Sequence, residues 1–446
     1  MSINRRQFLS LCLKGGVSAA ALTSLQLQAL TGSVNAVELG DYKALVCIFL
    51  YGGNDSLNML VPLEGEQRSL YEQSRQNLAV ASPITLNTAT QFAGGVGLHP
   101  SLSPIQRVFN ESNLAFVGGV GTLLAPTSYN DYKNNAVVLP KHLFSHNDQQ
   151  ASWMYGREKQ SLNSGWGARL LERLNQQDQF AANVSLDGTN LWQTGSQTKA
   201  FALNKSGISR INAFGGYQPR TDHVTNIMNR IMGNTHHPLS DAYAKSFNSA
   251  INNTQTMNNA LETAPELITP FSESSISQQL AAVAKAISVQ STLATQRQVF
   301  FVSMGGFDTH DNQLETHPLL LNSLAQSLSE FNSAMQELNM ADKVTTFTMS
   351  DFGRTLTSNG DGTDHGWAGN QLVMGGAVKG GDIYGEFLTQ HLDGPQDVGS
   401  GRLIPSVANE QYFASLAQWF GVPSSELSDI FPNLTNFDRT TLDFFM

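Results

Sequence analysis

Residues 298–312 read QVFFVSMGGFDTHDN: an apolar run, a glycine pair, then Asp308 and His310. The arrangement recurs twice. Lys43–Tyr51 (KALVCIFLY) leads into Gly52, Gly53, Asn54 and Asp55, and Val344–Ser350 (VTTFTMS) leads into Asp351, with Asp364 and His365 delivered by a short loop beyond. Oxygen and imidazole donors together suit Zn²⁺, Mn²⁺ or Fe; oxygens alone suit Ca²⁺ or Mg²⁺. Converging carboxylates repel one another unless a cation sits among them. Any single Asp here could be a helix cap or an Asx-turn residue. The repetition, with His310 and His365, favours one metal set made of Asp55, Asp308, His310, Asp351 and His365.

Ser145-His146-Asn147-Asp148 precedes a predicted helix. A hydroxyl at a helix N-terminus meets free backbone N–H groups and the positive end of the dipole. With a metal on its oxygen, Ser145 could ionise and act as a nucleophile; its plain alternative is an N-cap. His146 is a candidate ligand, general acid or partner of a ligand. Arg354, three residues past Asp351, could clamp an anionic oxygen or form a structural ion pair. Other templates are absent: there is no G-x-S-x-G elbow, Walker loop or H-E-x-x-H. Gly118-Gly119-Val120-Gly121 lacks the dinucleotide-binding spacing, and the Asn/Asp/Gly run at 358–362 lacks that of a calcium loop.

The elements that must position these groups are strands without polar/apolar alternation, which suits burial on both faces of a parallel sheet. Lys43–Tyr51, Leu114–Val120, Asn183–Leu186, Gln298–Met304 and Val344–Ser350 fit that description. Helical patterns lie between and after them, at Gln149–Tyr155, Trp166–Arg173, Asp222–Met232, Asp241–Leu261, Gln278–Leu293, Leu314–Leu338 and Gln411–Phe420. Alternating strands and helices predict an α/β sandwich with a mostly parallel sheet. Ligands of such sheets collect at the carboxyl ends of the strands, where Asp55, Asp308 and Asp351 stand. The Asn/Ser/Thr-rich stretch at about 205–275 reads as a helical insertion or cap.

The chain has 446 residues, 41% of them hydrophobic and only 14% charged, with a formal net charge of −10. That length suits one large domain with insertions at 37–446. The acidic balance, with no basic run after the N-terminus, argues against a nucleic-acid partner. Of the two cysteines, Cys12 lies near the N-terminus and Cys47 in the first apolar run, so no disulfide framework is expected. Residues 1–36 read as a twin-arginine export signal: Arg5-Arg6 precede Phe8-Leu9, a Gly/Ala-rich stretch follows, and Val34-Asn35-Ala36 offers a cleavage site. The expected partners are the twin-arginine translocase during export and a small-molecule or glycan ester. The expected location is periplasmic or extracellular, with no membrane span.

These motifs, in this order and spacing, resemble the bacterial exported family called domain of unknown function 1501. The residues that carry the resemblance are Arg5-Arg6-Gln7-Phe8-Leu9, Gly52-Gly53-Asn54-Asp55-Ser56, Ser145-His146, Gly165-Trp166, Gly306-Phe307-Asp308-Thr309-His310, Ser350-Asp351-Phe352-Gly353-Arg354-Thr355 and Asp364-His365-Gly366. The family looks like a branch of the alkaline phosphatase and sulfatase superfamily. The resemblance implies a three-layer α/β/α sandwich, a site for one or two divalent ions (Zn, Mn, Ca or Mg) and a metal-activated hydroxyl. By motif, Asp55 resembles the first-strand ligand, Asp308 and His310 a later ligand pair, Asp351 the aspartate of an Asp-His or Asp-Asn pair, and His365 the final histidine. Phe352 departs from that pattern where a second ligand would stand. No sulfatase nucleophile motif is present, so Ser145 is placed by position and Ser56 competes with it. The implied activity is hydrolysis of phosphate or sulfate esters; a phosphotransferase or mutase and a non-catalytic metal- or glycan-binding protein are the alternatives.

Overall fold

The computed structural model describes residues 39–157, 164–204 and 238–446. The export signal expected at 1–36, the helix expected at 222–232 and the first part of the cap lie outside those residues. Leu39–Met446 forms one compact unit.

Its central sheet is built from β1 (Lys43–Leu50), β2 (Leu114–Gly121), β3 (Asn183–Ser185), β4 (Phe201–Ala202), β5 (Arg297–Met304), β6 (Val344–Ser350), β7 (Gly369–Met374), β8 (Ile383–Gly385) and β9 (Val407–Ala408). The spatial order is β8-β2-β7-β6-β1-β5-β3-β4, with β9 also on β2. All neighbours are parallel except β7, which runs antiparallel to β2 and β6. The fold is therefore a mixed α/β sandwich with a mostly parallel sheet. The helices are α1 (Gly65–Arg75), α2 (Ser103–Asn110), α3 (His146–Tyr155), α4 (Trp166–Arg173), α5 (Pro238–Glu262), α6 (Ser275–Ser288), α7 (Gln313–Glu337) and α8 (Asn409–Phe420), along with shorter turns. No helix among the described residues is long and apolar enough to cross a membrane.

The strand period of two explains the layers. On one face of β1, Ala44, Val46, Ile48 and Leu50 join a core with Phe109 of α2, Leu280 and Val283 of α6, and Leu321 and Leu324 of α7. The intervening Leu45, Cys47 and Phe49 are equally buried. On that second face the filling is aromatic. The Trp166 ring of α4 stacks on Phe413 of α8 at 4.7 Å and packs on Phe347 of β6 at 5.5 Å. Both faces are covered, which is why these strands read as unbroken apolar runs.

The centre of the sheet sets up the site. β1 lies between β5 and β6, in a register that places Leu50 beside both Met304 and Ser350. Cross-links just past the strands hold the three ends level. Tyr51 N–H donates to Met304 O (2.9 Å), Phe307 N–H to Tyr51 O (3.1 Å), and Ser350 Oγ to Leu50 O (2.7 Å). Asp55, Asp308 and Asp351 consequently follow three neighbouring strands at one edge of the sheet.

Candidate metal centre

Asp308 leaves β5 through Gly305-Gly306 and is half exposed at the edge of the sheet. Gly52, at φ +116°, makes the approach possible: a Cβ there would sit 2.3 Å from Asp308 N. Arg354 is sealed beneath. Its Nη1 donates to Asp308 Oδ1 (2.8 Å) and Gly52 O (3.2 Å), while Nε and Nη2 donate to Thr363 Oγ1 (3.2 Å) and Thr363 O (2.5 Å). Burial raises the Asp308 carboxyl pKa. The Arg354 bond and charge, with His146 and His310, more than offset this and hold it below the usual carboxylate range.

Three imidazoles surround Asp308. His146 opens α3, His310 lies two residues past Asp308, and His365 ends the short strand Thr363–His365, which pairs with Arg354–Ser358. The Nδ1 of each is engaged. His146 Nδ1 meets Asp351 Oδ2 at 2.6 Å, His310 Nδ1 meets Asp364 Oδ1 at 3.1 Å, and His365 Nδ1 meets Phe144 O at 2.8 Å. Carbonyl and carboxylate oxygens accept, so in each neutral ring Nδ1 carries the proton and Nε2 keeps its lone pair. Those three Nε2 atoms converge on Asp308. His310 Nε2 lies 3.1 Å and His365 Nε2 3.5 Å from Oδ1, and His146 Nε2 lies 3.4 Å from Oδ2. His310 Nε2 and His365 Nε2 are 2.9 Å apart.

Lone pairs facing one another at that distance repel unless a proton or a cation lies between them. His146, Asp308 and His365 offer donor atoms all within 4.8 Å of one another, and His310 borders them. Imidazole nitrogens held from behind by a carboxylate or carbonyl, with a carboxylate oxygen among them, make the nitrogen-and-oxygen set that Zn²⁺ and similar ions take. The residues present fit such an ion.

Phe352 walls the group. Its ring centroid lies 4.5 Å from that of His365 and 4.9 Å from that of His146. A Cβ on Gly53 would fall 2.3 Å from the Phe352 ring, so glycine at 53 leaves the space the phenyl occupies. The His146 pKa is raised, chiefly by the bond to Asp351, whereas burial lowers that of His365 against the pull of the Phe144 carbonyl.

The structure therefore brings Asp308, His310 and His365 together with His146, expected as a ligand, a general acid or a partner of a ligand, on the ligand side. Three expected residues stand differently. Asp351, expected as a ligand, is fully buried behind His146 and also accepts from Gln150 Nε2 (3.0 Å) and Gly52 N–H (3.3 Å). Arg354, expected to clamp an anionic oxygen or form a structural ion pair, pairs with Asp308 and has its donors committed inside the protein. Asp55 lies outside the group: Arg75 Nη2 binds its Oδ1 and Gln313 Nε2 its Oδ2 (2.6 Å). Ser145 stands at the N-cap position of α3, one residue before His146, with no capping bond from its side chain; its hydroxyl donates to Asp148 Oδ2 (2.8 Å). Ser56 is sealed, with Oγ accepting from Asn370 N–H at 2.7 Å. Arg75 and Gln313 were not legible, because nothing marks the last residue of α1 or the first of α7 as a partner for a strand-end aspartate.

No curated protein sequence matches the chain. Among solved structures, it resembles the crystal structure of Ps i-CgsB with 10% identity and a TM-score of 0.37, covering 88% of this chain and 77% of that one. It resembles BT1596, a 2-O GAG sulfatase, with 8% identity and a TM-score of 0.33, covering 88% and 74%. It also resembles the soluble domain of lipooligosaccharide phosphoethanolamine transferase A from Neisseria meningitidis, with 8% identity and a TM-score of 0.34, covering 88% and 92%. Such identities carry nothing about substrate. At the sequence level the match is direct: residues 42–398, which contain every residue of the centre, fit the model of the family described as protein of unknown function DUF1501, and the chain belongs to that family.

Proposed function

We propose that this protein is an exported, metal-dependent hydrolase of phosphate or sulfate esters. One observation carries the reading: the Nε2 atoms of His146, His310 and His365 all approach the Asp308 carboxylate, each imidazole fixed from behind. His146, Asp308, His310 and His365 would hold the ion, which when bound supplies Lewis-acid polarisation of an ester oxygen.

The chain's own groups do the rest. Arg354 fixes the Asp308 carboxylate, and Asp351 and Gln150 fix the tautomer and tilt of His146. Phe352 shields the His146 and His365 rings from water on one side, which strengthens electrostatic interactions there. Ser145 is the available hydroxyl, since Ser56 is sealed. As Ser145 Oγ attacks phosphorus or sulfur, its proton would pass to Asp148 and the ester oxygen would leave with a proton from solvent; water would then cleave the seryl ester, releasing phosphate or sulfate as Asp148 returns its proton to Ser145. The Arg5-Arg6 leader supports twin-arginine export to the periplasm or beyond.

The reading is tested by turnover of aryl phosphates and aryl sulfates with added Zn²⁺, Mn²⁺ or Ca²⁺. Activity should appear with metal, vanish in His365→Ala and Ser145→Ala, and leave metal binding intact in Ser145→Ala. Inactivity of the wild type across the panel would count against a hydrolase. It would favour a second reading, an exported metal- or glycan-binding protein, which has one observation in its support: the buried Arg354 offers no donor to a ligand.

A further inference from the structure

Asp55 follows β1 as Asp308 follows β5 and Asp351 follows β6, yet it faces no imidazole of the centre. It is 0% exposed. Oδ1 is bound by Arg75 Nη2 and Oδ2 by Gln313 Nε2 at 2.6 Å. Arg75, the last residue of α1, is also 0% exposed, and its Nη1 donates to Thr355 O at 2.9 Å. Gln313 Oε1 accepts from Thr363 Oγ1 (2.7 Å) and Thr309 Oγ1 (3.2 Å), which fixes the amide so that its nitrogen points to Asp55. Thr309 lies between Asp308 and His310. Thr363 takes two bonds from Arg354, which in turn holds Asp308. An unbroken chain of hydrogen bonds thus runs from Arg75 through Asp55, Gln313, Thr363 and Arg354 to Asp308.

A buried carboxylate needs a compensating cation, and the guanidinium already supplies it. A divalent ion at Asp55 would have to displace two donors and sit against a fixed positive charge. We propose that Arg75 is the permanent cation of Asp55, so that no divalent ion binds there and, among the described residues, a single ion is taken at the His146/Asp308/His310/His365 group. The Arg75–Asp55–Gln313 unit is then a positioning device for the loop that bears Asp308 and His310. This inference rests on the metal reading above. Burial raises the Asp55 pKa, but the Arg75 charge, with the hydrogen bonds from Arg75 and Gln313, more than offsets it and holds the carboxyl below its usual range.

The test is native mass spectrometry and calorimetric titration of the full chain with Zn²⁺ or Mn²⁺, joined to melting curves with and without EDTA. One ion per chain is expected in the wild type and in Asp55→Asn, and none in His365→Ala. Asp55→Asn should lower the melting temperature equally with and without chelator, because its partner is a side chain. The double variant Asp55→Asn/Arg75→Met should melt at or above Asp55→Asn, since it no longer strands a buried guanidinium. If Asp55→Asn fails to fold, the double variant carries the stoichiometry measurement. Two ions in the wild type, or loss of an ion in either Asp55 variant, overturns the inference. No ion in the wild type overturns the metal reading of the centre, while the melting temperatures still decide the pairing: equal additive losses would refute Arg75 as the partner.

Discussion

His365 Nε2 and His310 Nε2 stand 2.9 Å apart, where two neutral rings would set lone pair against lone pair, and that contact makes His365 the most informative single residue. His365→Ala is expected to abolish high-affinity metal binding in a titration monitored by calorimetry. Asp351→Asn should leave the ligand atoms in place but weaken their support, lowering metal affinity about 10- to 100-fold in the same titration. Asp308, His310 and His365 were legible in the sequence because each follows a strand or a tight loop with its neighbours in a recognisable order. What set their chemistry was not: the proton position on each ring depends on Asp351, Asp364 and the Phe144 main chain, and a carbonyl partner leaves no trace in residue type. The same limit hid Arg75, an ordinary-looking basic residue at a helix end.

At the scale of elements, the ends of β1, β5 and β6 hold their spacing through glycine. Gly52→Ala would force a Cβ into the Asp308 main chain at a positive φ. It should cost more than about 1 kcal/mol in urea unfolding and reduce metal affinity in the folded fraction. α7 gives a second test, through pH. His317, 2% exposed and bonded to Asn54 Oδ1 (3.0 Å), is pushed down by burial to about 4 from an ordinary 6.5. The unfolded chain therefore binds the proton more readily. The stability contributed by neutral His317 is complete above pH 6.5 and is lost as pH falls toward 4. His317→Gln should flatten the dependence of unfolding free energy on pH across that window. The central strands were readable as apolar runs, and helix α4 began and ended where its pattern did. α3 starts earlier than its apolar residues suggest, because Ser145 ends the preceding turn and the polar residues His146, Asn147 and Asp148 form its first turn.

Across the described residues, the sheet separates a mainly aliphatic layer from one centred on Trp166. Trp166 touches Trp153, Trp192, Phe347, Phe413 and Phe431, bridging α4, α8 and β6. Trp166→Ala is expected to cost about 3–5 kcal/mol in denaturant unfolding, since the void cannot close against a sheet. The sandwich and its mostly parallel sheet were legible from strands without alternation. The antiparallel run of β7 was not, since its direction is fixed by where the Arg354–His365 hairpin returns the chain and not by any property of Gly369–Met374.

Cys47 sits at the middle of β1 with 0% exposure, and the chain's other cysteine, Cys12, lies in the expected export signal. A thiol-directed alkylating reagent can reach Cys47 only after the central strand parts from β5 and β6. The rate of labelling is thus a built-in clock for global opening. A divalent ion that ties the strand ends together should slow that clock, whether or not any substrate is ever turned over.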